Sequence, residues 1–100
     1  MPKYLFTVSF GQEDLEAIAT NGGTPVEQAI RAAVNARRGA LLGFFFALGA
    51  ADAVALADLP DDESAASIAI AASRHAGTSA EIVVLLTPQQ VDHAKGISDV

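Results

Sequence analysis

ALLGFFFALGAADAVALADL, residues Ala40 to Leu59, holds two apolar runs, Ala40–Gly49 and Ala53–Leu59, parted by a tight connection ending at Asp52. A link that short between two strand-like runs predicts an antiparallel hairpin. The first run is apolar on both sides. Strict alternation places Leu42, Phe44, Phe46 and Leu48 on one face and Leu41, Gly43, Phe45 and Ala47 on the other. Working outward, Lys3 to Phe10 alternates as a strand, with Tyr4, Phe6, Val8 and Phe10 on one side. Between it and the hairpin lies a helical region in two pieces. The first runs from Gln12 to about Thr20, with Glu13, Asp14 and Glu16 near the positive end of its dipole. Asn21-Gly22-Gly23 stops it. Thr24-Pro25-Val26-Glu27 restarts it with a cap, a proline and a capping glutamate. Arg37 and Arg38 lie at its end, and Gly39 offers the exit.

Downstream, Pro60 breaks the third strand, and Asp61-Asp62-Glu63-Ser64 opens a second helix, reaching about Ala76, with acidic residues and a capping hydroxyl. Ile68, Ala69, Ala72 and Ala76 give that helix a narrow packing face of small residues. Ala80 to Leu86 is the last strand. Thr87-Pro88-Gln89-Gln90 then starts a short helix through about Lys95. The order β, α, β, β, α, β is the split βαβ plan of a ferredoxin-like α+β sandwich, here with a short C-terminal helix. Nothing interrupts it, so residues 1–100 form one domain. The helices cover only one face of such a sheet. A large apolar patch on the other face is rarely left open by a soluble monomer, which predicts a second copy packed sheet to sheet.

Composition narrows the chemistry. Twelve acidic against six basic residues give a formal charge of −6, which repels phosphate backbones and excludes nucleic acid as the expected partner. The chain has no cysteine, removing disulfides, thiolate catalysis and cysteine-ligated metals. Its longest apolar run, Ala40 to Ala51, is about 12 residues against the ~20 that a membrane helix requires. A cytoplasmic protein without a membrane partner is expected.

Several segments, in their order, resemble the GYD domain family. They are Met1 to Phe10, Gly43-Phe44-Phe45-Phe46, Gly49-Ala50-Ala51-Asp52, Asp58-Leu59-Pro60 and Thr87-Pro88. The resemblance spans Pro2 to about Lys95. It implies a ferredoxin-like protomer of the dimeric α/β barrel kind, assembled as a homodimer or a multiple of dimers. The biochemical function of this family is unestablished. Where the family signature carries Gly-x-Tyr-Asp, this chain has Ala51 in the tyrosine position. Nothing that depends on that hydroxyl transfers to it.

Candidate site residues are few. His75 is the leading one, because neutral imidazole exchanges protons near neutrality. Beside Arg74 in a last helical turn, it also suits the negative end of the helix dipole. Tyr4 is the single tyrosine, and a buried tyrosine requires a partner for its hydroxyl. Phe44 and Phe46 are expected to wall either a ligand pocket or the core of the dimer. Asp52 reads as a turn former, and Asp58 as a cap before Pro60. His93 reads as a surface group, and no Glu-x-x-His or His-x-His spacing points to a metal or another cofactor. Two functions follow. One is a self-associating module that binds a small apolar molecule through Tyr4, Phe44, Phe46 and His75. The other is a cofactor-free monooxygenase- or isomerase-like enzyme acting on a small apolar or aromatic compound through His75, Tyr4 and Asp52. A pocket lined by Phe44 or Phe46 with His75 turned into it favours the enzyme, and His75 on the solvated face speaks against it.

Overall fold

A computed structural model describes residues 1–99. The chain runs β1 (Lys3–Ser9), α1 (Gln12–Asn21), α2 (Thr24–Ala36), β2 (Ala40–Phe46), β3 (Ala53–Asp58), α3 (Asp62–Ser73), β4 (Ser79–Leu85) and α4 (Pro88–Ser98). The four strands form one antiparallel sheet in the order β2-β3-β1-β4. This is the ferredoxin-like arrangement, with each βαβ split by a strand of the other.

Alternation decides the layering. Along β1, Tyr4, Phe6 and Val8 are buried, and their partners Ala57, Ala55 and Ala53 on β3 are buried beside them. Val34 of α2, Ala65 of α3, Leu41 and Leu59 complete the core. Leu5, Leu56, Val54, Phe45, Val83 and Leu85 fall on the opposite side of the sheet by register. Lys3 and Asp58, paired at 2.9 Å, close one end of that side.

The hairpin departs from strict alternation at one residue. Leu41 faces Ala57, whereas Gly43 already faces Leu56, so Leu42 is an unpaired extra residue, a β-bulge. The bulge puts Leu41 on the helix side with Phe44, the face opposite to the one strict alternation gives it, and leaves Leu42 exposed. Phe45 stays on the open side and is 68% exposed.

Helix boundaries follow local chemistry. Asp61 caps α3 by accepting from the Ser64 backbone N–H at 2.8 Å and from its hydroxyl at 2.7 Å. Both bonds hold the Asp61 carboxyl below the usual carboxylate range. Thr87 and Gln90 form a reciprocal capping box at the start of α4. At α2 the cap is Gly23 rather than Thr24, with no side-chain cap bond. Helix α2 leaves through a left-handed residue, as expected, but that residue is Arg38 at φ +62° and not Gly39. Gly39 is needed for space, since a Cβ there would sit 2.3 Å from the Asp58 carbonyl oxygen.

Helix α4 stands apart, since every one of its residues is exposed, including Val91 and Ile97. Accordingly the molecule measures 55 × 29 × 20 Å. Among the described residues, no helix is long and apolar enough to cross a membrane.

Candidate functional site

Small side chains leave a void where the layers should meet. The facing surfaces of α2 and α3 offer Ala29, Ala33, Ala71 and Ala72, and the sheet beneath them offers Ala55 and Ala80. Two layers spaced for Phe6, Val34, Ile30 and Ile68 cannot close over so many alanines. The result is a cavity of about 340 Å³ between sheet and helices, at the small end of the ~300–1,000 Å³ typical of ligand pockets. Its walls are apolar save for Asp14, His75 and Thr78.

Those three residues meet because β1 and β4 are neighbours. Ser9 pairs with Ser79, so the residues just after β1 lie against those just before β4. Thr78 sits almost fully buried at this junction. Its hydroxyl accepts from the Gly11 backbone N–H at 2.8 Å and donates to Asp14 Oδ2. His75 Nδ1 lies 3.2 Å from Asp14 Oδ1. Gly11 is obligatory, because a Cβ there would come within 1.9 Å of the Ala76 carbonyl oxygen. Gly77 supports the same contact from a left-handed backbone at φ +78°.

Hydrogen bonding sets the electrostatics. Donation from the Thr78 hydroxyl is the chief reason the Asp14 carboxyl lies below its ordinary range. Burial opposes this, and His75 adds to the lowering. Asp14 is therefore a carboxylate at neutral pH, and it accepts the Nδ1 proton of the ring. In a neutral imidazole that leaves Nε2 as an acceptor. The His75 side chain is 65% exposed and that of Asp14 26%, so the cluster lies at the mouth of the cavity and not in its depth.

The other expected site residues are held elsewhere. Tyr4 is fully buried, and its hydroxyl donates to Asp62 Oδ1 at 2.7 Å. That bond, then burial and the charges of Asp62 and Asp61, push its phenol up to about 12. Asp52 accepts from the Phe10 backbone N–H at 2.8 Å, and its own N–H donates to Val8 at 2.8 Å. It ties the hairpin turn to the end of β1. Phe44 and Phe46 stack edge to face at 5.2 Å between centroids, and Phe10 lies 6.2 Å from Phe46. Of the expected residues Tyr4, Phe44, Phe46, Asp52 and His75, only His75 lines the cavity, so among the described residues no pocket walled by Phe44 or Phe46 with His75 turned into it is formed.

Asp14 and Thr78 are the members that sequence reading passes over. Asp14 resembles any acidic residue in a first helical turn, and Thr78 sits in a connection with no motif. Their signal lies in topology, since a ferredoxin-like order makes the end of β1 the neighbour of the start of β4. Among the described residues, no group of three or more histidine or acidic side chains could hold a metal ion. Compared with protein families, the chain matches the one described as the GYD domain over residues 4–94. No curated protein and no solved structure matches it.

Proposed function

Because the chain belongs to the GYD domain family, matched over residues 4–94, we propose that it is a homo-oligomeric module binding a small, largely apolar molecule between its sheet and its helices. The observation that carries this reading is the cavity of about 340 Å³, apolar along its length and polar only at its mouth. Self-association draws support from the open side of the sheet, where Phe45 and Val83 are exposed beside Leu5, Leu56 and Val54. Each such side chain left in water forgoes about 1.5–3 kcal/mol of burial. A symmetric pair with sheets face to face, the dimeric α/β barrel, would cover them.

Two measurements test the two halves. Light scattering from sub-micromolar concentration upward should give the mass of a dimer or a multiple of dimers, and Phe45→Glu should lower it. A wild-type monomer at every concentration overturns the association. Calorimetry with 2-methoxynaphthalene, a neutral two-ring compound, should show saturable binding that Ala72→Phe abolishes by filling the void. Binding unaffected by that substitution overturns the cavity as its site.

A second reading, the cofactor-free monooxygenase- or isomerase-like enzyme, is favoured by one observation. Asp14 orients His75 at the cavity mouth as a carboxylate orients a general base. Turnover of a bound aromatic compound, lost in His75→Ala with binding retained, would decide for it.

A further inference from the structure

The polar side chains at the cavity mouth bond to one another. Asp14 Oδ1 is engaged by His75 and Oδ2 by Thr78, while the Thr78 oxygen also accepts from Gly11. Among the described residues, His75 Nε2 has no protein partner. The carboxylate fixes the proton on Nδ1, so Nε2 presents a lone pair. A ligand seated in the apolar part of the cavity would meet that lone pair with whatever group it carries at the opening.

We infer that the site selects an apolar molecule of one or two rings bearing a neutral O–H donor, such as a phenol or an alcohol, whose hydrogen His75 Nε2 accepts. The inference rests on the cavity being the binding site. His75 is the contacting residue, and Asp14 and Thr78 are positioning residues that hold its tautomer. A carboxylate in the same place would face the Asp14 charge and find no second donor. An ether of the same shape would leave Nε2 unpaired, and an unmet polar group at a binding site costs affinity.

The test compares 2-naphthol with 2-methoxynaphthalene, which share the ring system and differ in the donor. At pH 8, wild-type protein should bind the naphthol about five- to tenfold more tightly, the worth of one net hydrogen bond. In His75→Phe the ratio should fall to near one. Equal binding of both by the wild type overturns the inference and leaves the cavity reading standing. A preference that survives in His75→Phe overturns the assignment to His75. Failure of both compounds to bind overturns the cavity reading and the inference with it. The positioning role has its own readout. In a His93→Asn background, which removes the only other histidine, nitrogen resonances should show His75 protonated at Nδ1 and bare at Nε2. Asp14→Asn should mix the two tautomers and halve the naphthol preference or more. A wild-type ring protonated at Nε2 would sink the proposal.

Discussion

Tyr4 shows how much one side chain settles. Its ring fills the core where α3 begins, and its hydroxyl is satisfied only because Asp62 lies in the first turn of that helix. The folded phenol is less acidic than an unfolded one, so folding favours the protonated form. Its contribution to stability is complete below the unfolded value of about 10 and is lost as pH rises toward about 12. Tyr4→Phe should therefore unfold at a lower temperature than wild type at neutral pH. Melting both proteins across this range should show the gap closing between pH 10 and 12; a gap that stays constant contradicts the role of the Tyr4–Asp62 bond. The need for a hydroxyl partner was legible from a lone tyrosine in an alternating strand. Asp62 as that partner was not, because the two residues are far apart in the chain and only the tertiary fold brings them together.

Among the elements, the ones with strong local signals matched what the chain spells out. Thr87-Pro88-Gln89-Gln90 became a complete capping box, and α3 begins at the expected acidic segment, although its cap is the Asp61 carboxylate and not the Ser64 hydroxyl, which donates to it. The differences arose where packing outweighed local chemistry. The phase of β2 depends on the bulge at Leu42, and no pattern of apolar residues marks a bulge when both neighbours are apolar as well. Helix α4 is the element most dependent on its own sequence, since every one of its residues is exposed. An eleven-residue helix without packing is marginal in water. Thr87→Ala removes about 1 kcal/mol of capping and should melt α4 alone. Circular dichroism should then lose the helical signal of one short helix while the main unfolding temperature holds. A shift of the main transition would show that α4 is coupled to the body.

Across the whole molecule, stability and cavity compete for the same volume. The fully buried large side chains are Tyr4, Leu59 and Val34, and much of the remaining core is alanine. With so few large groups, each carries a sizeable share of a stability that for small domains is about 5–15 kcal/mol. Leu59→Ala should cost about 2–5 kcal/mol, read as a lower denaturant midpoint with an unchanged slope. A loss under 1 kcal/mol would mean that the layers collapse onto the gap. The split βαβ order and the two-sided apolar sheet were both readable from residues 40–59 and their flanks. The cavity was not, because it depends on alanines from α2, α3, β3 and β4 converging in space, and each looks unremarkable in its own segment.

The bulge at Leu42 also bears on how copies of this chain can meet. β2 is one of the two outer strands of the sheet, and such a strand offers a row of free N–H and C=O groups to any passing strand. At Leu42 that row loses its rhythm, so a neighbour adding itself in register would fall out of step within a few residues. Growth sideways, copy after copy into a ribbon, is thereby discouraged at this border. Contact through the broad apolar side is left free to close on itself and stop.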